Sequence, residues 1–186
     1  MRADARKNRD HLLAVAGTAI AEQGVDVALR DIARRADVGL ATLLRHFPTR
    51  EALLDALLRT GFDELTAKAC ALETSGAPGD ALVSWLRDAV AWTTEYRGAT
   101  VLMAAAIEDT ESALHASCVT LRAAGARLLA RAQEAGAARG DIDGADLFAL
   151  VAMVAWAGDQ PSLAPRADHL LDVVSSAVLT STVSPY

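Results

Sequence analysis

The sequence predicts an all-α protein: an N-terminal three-helix unit carrying a helix-turn-helix, followed by a larger C-terminal helical bundle. Three observations predict it. Alanine and leucine dominate a chain that is 52% hydrophobic but only 4% aromatic, and both residues favour helix. Apolar residues recur at helical spacing, while alternating β-branched runs are almost absent. Breaks containing Gly or Pro divide the chain, and those at Asp37-Val38-Gly39 and Pro48 lie unusually close together. The 186 residues suffice for one large or two small helical domains with a real core.

The elements follow in order. A first helix from about Arg6 to Gln23 turns Leu12, Leu13, Ala16 and Ile20 inward, with Gly24 just past its end. A second, about Ala28 to Ala36, buries Ile32, Ala33 and Ala36 and leaves Arg30, Arg34 and Arg35 outside. Asp37-Val38-Gly39 suits a tight turn, because Asp tolerates the left-handed conformation and Gly bends freely. A third helix, about Leu40 to His46, has Leu43 and Phe47 as its inner stripe and stops at Pro48. Thr49 then caps a fourth helix, about Arg50 to Leu72, with Leu53, Leu54, Leu57, Leu58 and Leu65 inward.

"ETSGAPGD" is the clearest linker. Beyond it a helix over about Ala81 to Tyr96 carries Trp85 and Trp92 on one face and ends before Gly98. A short apolar helix holds "VLMAAAI". Thr110 or Ser112 caps a long helix to about Ala135, whose row is Leu114, Leu121, Leu128 and Leu129, with Ala124, Gly125 and Ala132 allowing close approach. After "GAARGDIDGAD", Asp143 caps a helix from Ala145 to Ala157. That helix is apolar on nearly all sides, which implies burial against more than one neighbour. A last helix covers about Ala167 to Leu179.

A net charge of -6 argues, as an average, against a nucleic-acid partner. The distribution is uneven, with ten Lys/Arg against eight Asp/Glu through Thr60 and eight against sixteen afterwards. A relatively basic start beside an acidic remainder suggests a division of labour. Two short helices around a tight turn, one bracing the other, form a helix-turn-helix over residues 28–47. The second helix is small enough to enter a major groove, and outward arginines suit phosphate neighbours. Spacing alone leaves two readings open: a generic helical bundle with solvated arginines, or a DNA-binding unit over residues 1–60 followed by a helical unit over residues 61–186.

The segment "LRDIARRADVGLATLLRHFPTREALL" resembles the DNA-binding domain of tetracycline-repressor-type (TetR family) regulators. The likeness runs from about Arg6 to Leu58 and includes Gly24, "DIA" at residues 31–33, the turn, "TL" at 42–43, "RHFP" at 45–48 and "REALL" at 50–54. It implies DNA binding by Arg30, Gly39, Leu40, Ala41, Thr42, Leu44, Arg45, His46 and Arg50. Thr42 and His46 match backbone-contact positions, and Arg30, Leu40 and Ala41 match positions facing base edges. Five departures stand out. Asp37 replaces the usual turn Gly, Gly39 a frequent Ser, and Ala28 the usual Ser or Thr cap. Leu44 replaces a Tyr that touches the DNA backbone, and Arg50 the Lys that opens the next helix. Exposed Leu40 and Leu44 either read thymine methyls or are simply tolerated. "LLARAQEAGAARGDIDGADLFAL" is similar to the SbtR-like C-terminal subgroup.

The resemblance further implies a homodimer on an operator of palindromic double-stranded DNA, most simply a repressor released by a small-molecule effector. The last two helices are the expected dimer contact, unless both are core. Trp85, Trp92, Met103, Phe148, Met153 and Trp156 are the expected lining of a ligand pocket, with Glu95, His115 and Asp159 as polar groups, unless that core is filled. The alternative function is a helical small-molecule-binding protein that has lost specific DNA binding.

Catalysis is not expected. The four histidines are scattered, and there is no metal-ligand pairing, phosphate-cradling glycine loop, GxSxG or HExxH. No metal or cofactor is implied. Cys70 and Cys118 form no CxxC and read as two small buried thiols. The charged N-terminus has no apolar signal core, and "LFALVAMVAWAG" is too short to span a membrane, so a cytoplasmic protein is expected.

Overall fold

The computed structural model describes residues 2–96, 110 and 113–180. The described residues form helices α1 (Arg2–Gln23), α2 (Leu29–Arg35), α3 (Leu40–His46), α4 (Arg50–Leu72), α5 (Pro78–Glu95), α6 (Ala113–Glu134), α7 (Gly144–Asp159) and α8 (Ala167–Val178), with a 3-10 turn at Ala164–Arg166 before the last. They include no strand, only a single antiparallel bridge between Ala138 and Leu179. The short helix expected around "VLMAAAI", together with Gly98, Met103 and Ser112, lies outside the described residues.

Two apolar clusters organise the chain. Leu12, Ala16 and Ile20 of α1 pack with Ile32, Leu43, Phe47, Leu53 and Leu57 in the first. Leu58, Phe62 and Leu65 of α4 pack with Trp85, Leu121, Leu128, Leu147 and Val151 in the second. Adjacent residues of α4 thus serve different cores. α4 packs most extensively on α6, and α5 packs on α6 and α7. Small residues permit this closeness. A β-carbon on Gly125 would come within 2.6 Å of the Trp85 ring, and Ala124 and Ala132 are fully buried.

The caps expected at Thr49 and Asp143 are present. Thr49 Oγ1 accepts from Ala52 N–H at 3.1 Å. Asp143 accepts from Ala145 and Asp146 N–H, and Asp146 reaches back to Asp143 N–H at 3.0 Å, a reciprocal capping box. Gly24 ends α1 at φ +85, its N–H donating to Ile20 O.

The all-round apolarity of α7 divides between two faces. Leu147, Val151 and Val154 are buried, whereas Met153 is 65% and Trp156 54% exposed. Val173 of α8 is also exposed and lines one crevice with Met153. Cys118 is buried as expected, and burial pushes its thiol pKa up. Cys70 is exposed, beside the Arg127 guanidinium at 3.6 Å, so the expectation of two buried thiols fails for it.

Candidate nucleic-acid interface

The reading hairpin begins with a helix that lacks a side-chain cap. Ala28 occupies the cap position in extended geometry and offers no acceptor. An absent cap costs about 1 kcal/mol. Three features offset it. Asp31 sits in the first turn and Arg34 and Arg35 in the last, the charge order that suits a helix dipole. Arg35 pairs with Glu22 of α1 at 2.6 Å, tying α2 to the helix behind it.

The turn is a six-residue helix-ending motif. Val38 N–H donates to Ala33 O at 3.0 Å and Asp37 N–H to Arg34 O at 3.3 Å, with Asp37 left-handed at φ +55. Val38 then packs against the first apolar cluster. Gly39, in contrast, is extended at φ -69, ψ 147. The left-handed position is therefore held by Asp37, and Gly39 does not bend the turn. A β-carbon on Gly39 would meet nothing within 4 Å, so its backbone lies open to an approaching surface.

α3 is anchored by its inner stripe. Leu43 and Phe47 are buried at 0% and 2% exposure, and Phe47 carries the Arg9 guanidinium over its ring at 5.2 Å. Outward, Ala41, Leu44 and Arg45 are exposed and Leu40, Thr42 and His46 half-buried. Two of the α2 arginines are engaged internally, Arg34 with Asp31 at 3.0 Å and Arg35 with Glu22. Arg30 and Arg45 have no acidic partner among the described residues. Arg50 is half-buried and donates to Val25 O at 2.6 Å, which leaves its other N–H groups for a ligand.

The residues expected to line one ligand pocket are not brought together. Trp85 is wholly buried, its indole N–H donating to Leu65 O at 3.0 Å and its ring edge-on to Phe148 at 5.8 Å. Trp92 belongs to a different group, 5.4 Å from Phe62 and 5.0 Å from Tyr96. Met153 and Trp156 are largely exposed, and Met153 lines a separate crevice of about 490 Å³ with Leu150, Val173 and Val174. Every side of α7 is apolar, so the sequence alone could not say which side faces in. Met103 lies outside the described residues. Glu95 and Asp159 do meet, in a crevice of about 390 Å³ that also includes Arg87 and Thr94.

No group of His, Cys, Asp and Glu among the described residues could hold a metal ion. No helix among them is long and apolar enough to cross a membrane.

Comparison with known proteins follows the same division. Residues 12–57 match the family model for bacterial regulatory proteins, tetR family. Residues 77–177 match that for the transcriptional regulator SbtR-like C-terminal domain. The structure of the TetR transcriptional regulator SCO0520 from Streptomyces coelicolor is similar at 33% identity, covering 94% of this chain and 99% of that one, with a TM-score of 0.71. A TetR transcription regulatory protein from Mycobacterium vanbaalenii is similar at 30% identity, with coverages of 96% and 99% and a TM-score of 0.63. The TetR-like regulator LfrR from Mycobacterium smegmatis, solved in complex with proflavine, shares the fold at 24% identity, with coverages of 95% and 98% and a TM-score of 0.65. No curated protein matches the chain.

Proposed function

Because the chain belongs to the bacterial TetR family of transcriptional regulators, we propose that it is a homodimeric repressor that grips a palindromic operator and releases it when a small molecule binds. The observation that carries this reading is the outward face of α3, held rigid from behind by Leu43 and Phe47. DNA binding is the family's shared activity, seated in the N-terminal domain. The residue roles are ours. Arg30, Leu40, Ala41 and Leu44 face base edges. Gly39, Thr42, Arg45, His46 and Arg50 hold the phosphate backbone. Residues 1–60 form the reading unit and residues 61–186 the ligand and dimer unit, with α4 common to both.

A single α3 is too small to discriminate a site, so two must act on one two-fold axis. The exposed strip of Met153, Trp156 and Val173 on α7 and α8 supports a subunit contact there, because a solvent-facing Trp and Met side by side call for a cover. Trp85, Trp92 and Phe148 are the aromatic groups an effector displaces in the bundle. Ligand access parts Trp85 from Phe148, and preference for the parted form shifts the population away from the DNA-competent one. The protein works in the cytoplasm, where its operator is.

Titration against the chain's own upstream DNA at several salt concentrations tests this. A specific complex whose affinity falls steeply with salt is expected. Weak, flat binding to every duplex favours instead a ligand-binding protein that has lost its operator, a reading that the missing hydroxyls at Ala28 and Leu44 support.

A further inference from the structure

We infer that Tyr96 is the positioning residue that sets the angle between the N-terminal three-helix unit and the C-terminal bundle. Among the described residues, Tyr96 alone packs against both apolar clusters. It sits just past the end of α5, at φ -95, ψ 78, where the chain leaves the helix. Its hydroxyl lies 3.3 Å from the point a β-carbon on Gly17 of α1 would occupy, with Leu57 of α4 at 3.5 Å from the same point.

The ring does not stand by itself. Trp92 lies one turn earlier, its centroid 5.0 Å from that of Tyr96, and Phe62 lies 5.4 Å beyond Trp92. A β-carbon on Gly61 would fall inside the Trp92 indole. Phe62, Trp92 and Tyr96 therefore form a stiff row from the bundle core to α1, each of the last two seated on a glycine. Such close packing transmits displacement because it has no slack.

Two crevices flank this contact between α1 and the bundle. A crevice of about 400 Å³ opens on one side of the contact, between Asp10 and Thr18 of α1 and Thr60, Glu64 and Glu95. A second, of about 390 Å³, opens between Ala21 of α1 and Thr94, Glu95 and Asp159. Tyr96 lines the first of these gaps, and its neighbour Glu95 lines both. A change at the end of α5 is thus delivered to α1 through this aromatic contact, beside the continuous α4 that joins the two clusters.

A distance measurement within one chain tests this without DNA. Spin labels on Ala28→Cys and Ala130→Cys, both exposed positions, in a Cys70→Ser background report the separation of the two units by pulsed EPR. Labelled chains are diluted into unlabelled ones to suppress distances between subunits. The parent is expected to give a narrow distribution. Tyr96→Ala should widen it roughly twofold or more, and Gly17→Ala should shift its mean, because the added methyl meets the hydroxyl. Tyr96→Phe keeps the ring and should keep the width. Helicity and thermal unfolding are followed in parallel, and Tyr96→Leu replaces Tyr96→Ala if that variant does not fold. Distributions unchanged in both width and mean overturn the inference.

Its regulatory consequence rests on the repressor reading and has its own arm. On operators whose half-site spacing is varied, Tyr96→Ala should lose spacing preference while keeping base preference within each half-site. A parent that binds no operator sinks the repressor reading and leaves the distance result standing.

Discussion

The Arg50 guanidinium donates to the Val25 carbonyl at 2.6 Å, fastening the first turn of α4 to the loop that closes α1. One side chain thereby combines a structural bond with a charge at the end of α4 that we propose faces DNA. A lysine cannot do both equally, since it lacks the forked geometry. We predict that Arg50→Ala lowers stability by about 1–2 kcal/mol and reduces the salt slope of operator binding by about one. Arg50→Lys should recover the salt slope but not the stability. Urea unfolding and binding isotherms at several salt concentrations separate the two effects.

Asp37 holds a left-handed position that glycine adopts without strain. Asp37→Gly should raise unfolding stability by up to about 1 kcal/mol, and Asp37→Val should lower it by about 1–2 kcal/mol. A stability ranking of Val above Asp in chemical denaturation would show that the turn is not held in this geometry.

Leu44 is 36% exposed on the outward face of α3, with Leu40 one turn before it. If the two read thymine methyls, replacing thymine by uracil in the half-site should weaken binding by about 0.8 kcal/mol for each buried methyl. Leu44→Tyr should restore a backbone hydroxyl and tighten binding by about 1 kcal/mol, with little change in melting temperature. Fluorescence anisotropy with paired thymine and uracil duplexes checks both; equal affinity for the pair leaves the leucines as merely tolerated.

Trp156 and Met153 lie on the α7 strip proposed as the subunit contact. Trp156→Asp should convert dimers to monomers at micromolar concentration while leaving helicity intact, because the side chain is 54% exposed and lies outside the buried core. Sedimentation velocity over a concentration series reads this directly. A variant that sediments as the parent does would move the contact elsewhere.

The Tyr96 phenol ionises above its ordinary value, chiefly because it is partly withdrawn from water, with Glu95 and Glu64 adding to the effect. A folded-state pKa above the unfolded one means that its contribution to stability is complete below about pH 10 and is lost as pH rises through the folded value. Absorbance titration should show one of the two tyrosines ionising late, and Tyr96→Phe should remove that late phase.

Periodicity made the helices legible. Leu12, Leu13, Ala16 and Ile20 are all buried as their spacing implies, and Asp143 and Thr49 cap as their positions imply. The turn was legible in place but not in mechanism, since Asp and Gly both tolerate φ > 0 and only geometry assigns it to Asp37. The pocket was least legible. Aromatic residues along α5 and α7 share a composition whether they face a core, a ligand or a second subunit. Only the helix rotation puts Trp85 inside and Trp156 outside. Arg34 and Arg35 read as phosphate ligands in sequence, yet their acidic partners lie three and thirteen residues away, one of them on another helix.

That Leu57 and Leu58 feed separate cores from one unbroken α4 limits how this regulator can be rebuilt. A hybrid sensor that joins this reading head to a foreign effector module at residue 60 would cut the helix where the two cores share it. A splice in the bend after Leu72 keeps α4 whole but carries along Leu58, Phe62 and Leu65. The recipient bundle must then already present a surface shaped for those three side chains.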